Sequence, residues 1–433
     1  LHTPNLTWRA RFGLGIVALK QGSIKEAIQN LQAAHRLIKD RPISTIQTEF
    51  KSPSISQADP ESLISAYSES VCDDGRPATA LKILLEHEAK KFSDYLGTTP
   101  PSIDQIHAQF QSQNSDSSAF LYYAIGPKTS LLIAGGKGAL FCNKINMNYS
   151  QLKALLEQYR SSDKLQQQES LTTLSKYLIA PIKAFLTDST LLHIVSNHES
   201  SLIPFPGLLH SEKPLVETMT VAMVPLTLSH IESPSGDSPS LYRGIAFVQP
   251  HDKKSILSKE RQILSRFFID SQVMGDENLS SSSLLPTLTK TDILHLSGKF
   301  SANMIEPQLT SINLLPKQPK KGSVTLKDLL SAGNKLQMAY VAQPSVGQMT
   351  PAVLARSGAK AVITNDRVHF DHESLFIAKN FYRHYHTSGN PCTALRAAQL
   401  AAIRFLPQST SWSHFKVFTR CKNESSLEPK PML

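Results

Sequence analysis

The 433-residue chain is poor in the features that mark several large protein classes. Its four cysteines, Cys72, Cys142, Cys392 and Cys421, are widely scattered, with no Cys-x-x-Cys spacing. They read as neither a metal-type pair nor a disulfide framework, so a reducing, cytoplasmic compartment is expected. No stretch approaches the roughly 18 apolar residues of a membrane-spanning helix. Leu1 opens the chain without methionine or a charged-then-apolar leader, which reads as a fragment or processed product with no secretory signal. The one glycine-lysine cluster, "GGKG" at 135–138, lacks the Gly-x4-Gly-Lys-Ser/Thr frame of a phosphate loop and is read as a turn. No cofactor is expected. Acidic residues are in deficit, giving a net charge of +10, but the basic residues are dispersed. The densest group, Lys317, Lys320, Lys321 and Lys327, reads as a solvated loop rather than a nucleic-acid site.

What the chain does have is period. Over residues 8–40 apolar residues recur three and four apart in two stretches divided by Gln21-Gly22-Ser23. Ser23 followed by Glu26 predicts a capping box at the second helix. Leu14, Gly15, Ala18, Gly22, Ala27, Leu31 and Ala34 stand at the spacings of a tetratricopeptide repeat, with Gly15 and Ala27 allowing close helix approach. One such unit buries its face by stacking on neighbours, so protein partners are expected here. Residues 41–60, rich in Ser, Pro and Gln, read as a linker, and 61–112 as helical with a turn at "DDGRP".

Beyond "SQNSDSS" (112–118) the period changes. "AFLYYAIG" and "SLLIAGG" predict a hairpin, and 150–186 is helical. Strand-like runs then begin near 191, 221, 243, 292, 337 and 360, separated by helical patterns that include "SKERQILSRFF" and "PCTALRAAQLAAIRF". Near-continuous apolar strands alternating with helices predict an α/β fold, a mostly parallel sheet with helices on both faces.

This order of segments resembles the CHAT family, caspase-like peptidase domains that accompany tetratricopeptide repeats. The resemblance rests on "LLHIVSNHESSLIPFPGLL", "TMTVAMVPLT", "SKERQIL" with Glu260, "DILHLS", "VTLKDLL", "ARSGAKAVITN", "PCTALRAAQLA" and "WSHF", in that order. It implies a helical repeat-like hairpin at 1–42, a linker and helical connector at 43–115, the caspase-like domain at 116–420 and a tail at 421–433.

The departures from the family pattern fall where its chemistry would be. The family strand ends His-x-x-x-His-Gly; here His295 matches the first, structural histidine, Lys299 takes the catalytic place and Phe300 that of the glycine. Gln343 stands in place of the nucleophilic cysteine within Val341-Ala342-Gln343-Pro344-Ser345, and Asn365-Asp366-Arg367 replaces Leu-Trp-Pro. A cysteine peptidase needs a thiolate to attack and a histidine to protonate the leaving amine. Glutamine supplies no nucleophile, and lysine ordinarily keeps its proton to about pH 10.4. The resemblance therefore implies a caspase-like domain without catalytic residues, with His295, Ser297, Gly298, Phe300, Pro344 and Asp366 lining a degenerate cleft. Lys299 and Gln343 are expected to face each other at the ends of neighbouring strands. The function implied is a pseudo-peptidase that acts as a protein-binding scaffold or regulator.

Three other chemistries are weighed. Ser345 with a desolvated Lys299 would make a Ser-Lys endopeptidase. His369, Asp371, His372, His384 and His386 include metal-ligand types but no fixed third ligand, so no metal is expected; Asp371 serves equally as a helix N-cap. Cys392, beside Pro391 at a helix start, is read as a packing residue.

Overall fold

The computed structural model describes residues 4–41, 59–96, 117–126, 128, 130–136, 138–161, 163–197, 200–225, 243–248, 254–267, 269–274, 286, 290–297, 299–301, 311–313, 323–325, 327–329, 336–341, 349–365, 372–407, 409–419 and 421.

Helices α1 (Pro4–Lys20) and α2 (Ile24–Ile38) form the expected hairpin. Gly22 makes the turn at φ 76°, a left-handed conformation that costs glycine nothing. A Cβ on Gly15 would lie 2.7 Å from the Leu31 side chain, so the hairpin closes because residue 15 has none. Ala27, Leu31 and Ala34 are fully buried. Ser23 is the N-cap of α2, but its side chain makes no capping hydrogen bond, so the expected box with Glu26 does not form. Helix α3 (Pro60–Asp73) starts at Asp59, whose carboxylate accepts the Ser62 amide at 2.7 Å. Helix α4 (Pro77–Leu96) follows a turn through Gly75.

Strands β1 (Ser118–Ile125), β2 (Ser130–Gly136) and β3 (Ala139–Ile145) form an antiparallel meander. Alternation along β1 splits its side chains between two cores. Phe120 and Tyr122 meet Trp8, Leu31, Val71 and Leu85 of the four helices. Leu121 and Tyr123 face the other way, into a cluster with α5 (Tyr149–Tyr159) and α6 (Lys164–Leu178). Next come β4 (Leu191–Ser196), the two-residue strands β5 (Leu209–His210) and β6 (Lys213–Pro214), and β7 (Thr220–Pro225).

The rest of the chain supplies β8 (Arg243–Val248), α7 (Lys254–Phe267), β9 (Ile269–Met274) and β10 (Ile293–Ser297). A small antiparallel sheet follows, of β11 (Lys299–Ser301), β12 (Ser311–Asn313) and β13 (Ser323–Thr325). Then come β14 (Met338–Val341), α8 (Met349–Arg356), β15 (Val362–Asn365), α9 (His372–Ser388), α10 (Pro391–Phe405) and β16 (Phe415–Phe418).

The main sheet has eleven strands in the order β3-β2-β1-β4-β7-β16-β15-β14-β10-β8-β9. It is mostly parallel: the antiparallel pairs are β1–β2, β2–β3 and β15–β16. Helices cover both faces, with α5, α6 and α8 in one cluster and α9 and α10 in another. The β15–β16 reversal has a geometric result. Strand β16 runs parallel to β7, so β1, β4 and β7 point opposite to β8, β9, β10, β14 and β15. The carboxyl ends of the two sets open on opposite rims of one sheet.

The cysteine reading is corrected. Cys72 of α3 is bonded to Cys142 of β3, and Cys392 of α10 to Cys421, with Cα separations of 6.0 and 6.2 Å. These separations lie within disulfide range. Partners 70 and 29 residues apart meet only because the fold brings α3 onto the outer strand and the chain back past α10. The cysteine argument for a reducing compartment falls with them. Cys392 is buried, but as a bonded residue. No helix among the described residues is long and apolar enough to cross a membrane.

Candidate functional site

The strand expected to carry the catalytic histidine is β10, between β8 and β14, and the register pairs Leu296 with Val341. Its alternation sends Leu294 and Leu296 into one core and Ile293 into the other. His295 shares the face of Ile293, and its ring is 1% exposed. Nε2 lies 2.9 Å from Glu260 Oε1 on α7, and Nδ1 lies 2.7 Å from the Tyr382 hydroxyl on α9. The imidazole stacks on Tyr340 of β14, with centroids 4.8 Å apart and planes 8° from parallel. Three elements thus converge on one ring.

Electrostatics fixes the roles in this cluster. Burial holds the Tyr340 and Tyr382 hydroxyls protonated, pushing both well above the ordinary phenol range; Glu260 adds to this at Tyr340, and Tyr340, Glu260 and Tyr385 at Tyr382. With the imidazole neutral, Nε2–H donates to the Glu260 carboxylate and the Tyr382 O–H donates to Nδ1, so both ring nitrogens are used. Glu260 is 1% exposed, and among the described residues its Oε2 has no hydrogen-bond partner; nor has the Tyr340 hydroxyl. His295, expected to line the cleft, is instead enclosed and holds β10 against α7 and α9. Its role as a structural histidine is what this geometry can perform. An imidazole with both nitrogens occupied beneath the sheet cannot exchange protons with a substrate above the strand end.

The other expected site residues divide into two groups. Ser297 ends β10. Lys299 and Phe300 lie in β11, paired with Asn313 and Ile312 of β12, so position 299 belongs to a paired strand. Gly298, Gln343, Pro344, Ser345 and Asp366 lie outside the described residues, as do His369, Asp371, Lys317, Lys320 and Lys321. Strands β10 and β14 are neighbours, as the expected facing of positions 299 and 343 requires. His372, His384 and His386 lie on α9, and among the described residues no three His, Cys, Asp or Glu side chains gather as a metal site. Sequence reasoning named Glu260 and His295 separately and missed Tyr382. The signal for Tyr382 was the placement of two tyrosines, Tyr382 and Tyr385, on the buried side of an otherwise polar helix.

Comparison with known proteins follows this geometry. The CHAT domain family model matches residues 168–420, more than half of the chain. A search of curated proteins finds no match. Among solved structures, the chain is similar to separase in two structures of the Saccharomyces cerevisiae separase–securin complex. One has a TM-score of 0.58 at 8% identity, covering 93% of this chain and 38% of that one. The other has 0.55 at 9%, covering 92% and 37%. The Arg-specific cysteine proteinase gingipain R aligns with a TM-score of 0.39 at 8% identity, over 62% of this chain and 74% of that one. The chain spans less than two fifths of the separase chains it matches, and likeness at this identity speaks to fold alone.

Proposed function

Because the chain belongs to the CHAT domain family, whose fold is that of caspase-like peptidases, we propose that it is a catalytically silent member serving as a protein-binding scaffold or regulator. One observation carries this reading. Lys299 and Gln343 occupy the positions that the resemblance assigns to the acid–base histidine and the nucleophilic cysteine. Losing either member of such a pair removes most of the rate, and here both are replaced. The placement of Lys299 in a paired strand supports the same reading. Binding is proposed through the helical hairpin at 1–42, which has tetratricopeptide-like spacing, and through the degenerate cleft of the 116–420 domain. Leu14 and Val17 of α1 are about half exposed, at 53% and 50%, which supports an exposed helical surface for partners. The separase structures it resembles hold securin, which supports protein partners as a class.

The test is proteolysis by the purified chain against a peptide library. No cleavage is expected, and Gln343→Cys alone stays silent because Lys299 does not readily protonate a leaving amine. Adding Lys299→His and Phe300→Gly is expected to recover weak cleavage. Cleavage by the unaltered chain that vanishes in Ser345→Ala and Lys299→Ala would overturn the proposal and establish a Ser-Lys endopeptidase.

A further inference from the structure

The opposite rim of the sheet carries a second site. There the carboxyl ends of β1, at Ile125 and Gly126, and of β4, at Asn197, meet α3 and α4 around a pocket of about 50 Å³. In an open parallel sheet, ligands gather at carboxyl strand ends. The β15–β16 reversal sets this pocket on the rim away from Ser297 and Lys299.

The lining is charged and unbalanced. Glu61 and Glu88 bring two carboxylates and Lys91 one ammonium. Lys91 Nζ is 2.8 Å from Glu61 Oε1 and 3.9 Å from Glu88 Oε1, so it neutralises one charge of two. His87 adds none, because burial lowers its pKa to about 4 and leaves it neutral at pH 7. Its Nε2 lines this space, is sealed from solvent, and has no hydrogen-bond partner among the described residues. A sealed polar atom without a partner costs about 1–3 kcal/mol, so a site that keeps one is incomplete. Glu88 and Lys91 are held in place, their side chains 15% and 16% exposed.

We propose that this pocket binds the guanidinium of an arginine side chain presented by a partner protein. The residual negative charge selects a cation. A neutral imidazole nitrogen accepts an N–H, and a carboxylate accepts more than one. A planar guanidinium carries five donors in a fixed fork, enough to reach the Glu88 carboxylate and Nε2 of His87 together, where an ammonium is a point charge. The space holds about three or four waters, which suits a head group and excludes a whole ligand, so the arginine arrives on a larger molecule. An anion would meet two carboxylates. A metal ion lacks its cage, since the acids and the imidazole are not gathered as a three-ligand group. The site does not depend on whether the other rim is catalytic.

The experiment is calorimetric titration of the full chain with acetyl-arginine-methylamide, with the lysine and citrulline analogues and inorganic phosphate as comparisons. The arginine probe is expected to bind, the lysine probe to bind more weakly, and citrulline and phosphate to show no heat. Glu88→Gln is expected to weaken arginine binding by about tenfold or more, the loss of one charge-assisted hydrogen bond. Ser65→Met, which fills the pocket from the surface of α3, is expected to abolish it with the circular dichroism unchanged. Equal binding of citrulline, indifference to both variants, binding of phosphate, or no arginine binding would each overturn the proposal. The library assay reads the other rim, so the two proposals fail separately.

Discussion

Two histidines sit beside two rims of the same sheet, and they are finished differently. His295 has a carboxylate on one nitrogen, a phenol on the other and a ring stacked beneath it. His87 lies between α4 and the end of β1 with Nε2 unmet. A buried imidazole that is fully bonded fixes the elements around it. A buried imidazole that is not fully bonded still has bonding capacity for another group. The rim expected from family resemblance to be chemical is thus braced from beneath. The rim with no sequence motif keeps an unsatisfied acceptor.

The same substitution at both sites breaks or sharpens this contrast. His295→Phe is expected to have the largest effect. It strands the Glu260 carboxylate and removes the partner of the Tyr382 hydroxyl, and breaking a buried pair of this kind costs about 3–5 kcal/mol. Urea unfolding followed by tryptophan fluorescence measures it; a loss under about 1 kcal/mol would show that the cluster does not hold β10.

The next effect is pH dependence. His87 and His35 both have pKa values lowered to about 4, in each case first by burial, with Lys39 and Lys90 adding at His35. Their unfolded counterparts titrate near 6.5, so between about pH 6.5 and 4 the unfolded chain binds protons that the folded chain refuses. Stability contributed by these residues is full above about pH 7 and falls through that window, by up to about 3 kcal/mol for each histidine. Amide exchange within 60–96 at pH 7 and pH 4.5 reads this loss, and equal protection at both would contradict it.

The smallest effect is His87→Phe at pH 7. Replacing an unpartnered polar atom by carbon at similar volume is close to neutral, within about 1 kcal/mol. The variant is also expected to lose its share of the acid sensitivity. A loss matching that of His295→Phe would mean that His87 is a brace as well.

Much of this fold was legible from patterning. "LLHIVS" became β4 and "PCTALRAAQLAAIRF" became α10 at the boundaries read, because apolar runs flanked by Ser, Asn and Pro leave little choice. The hairpin of β1 and β2 followed from two apolar runs around a break. Strand β3 was missed because "ALFCNKI" is a half-exposed edge strand without a clean period. Strand β9, "IDSQVM", is also an edge strand of mixed polarity. Strands β11, β12 and β13 have three residues each, too short to show any period. Contacts were less legible than elements. Nothing local in "LLEHEAKK" marks His87 as sealed, since the sealing surfaces come from α3 and β1. Neither disulfide can be read from spacing, because each pairs residues of different elements.

The Cys72–Cys142 bond has a consequence for processing. It closes a covalent ring that contains α4, β1 and β2. A protease that cuts the backbone anywhere between those cysteines opens the ring without separating its ends. The product is a two-chain molecule whose N-terminal helices leave only after reduction, so a nick in the connector and the release of the helices are distinct chemical events.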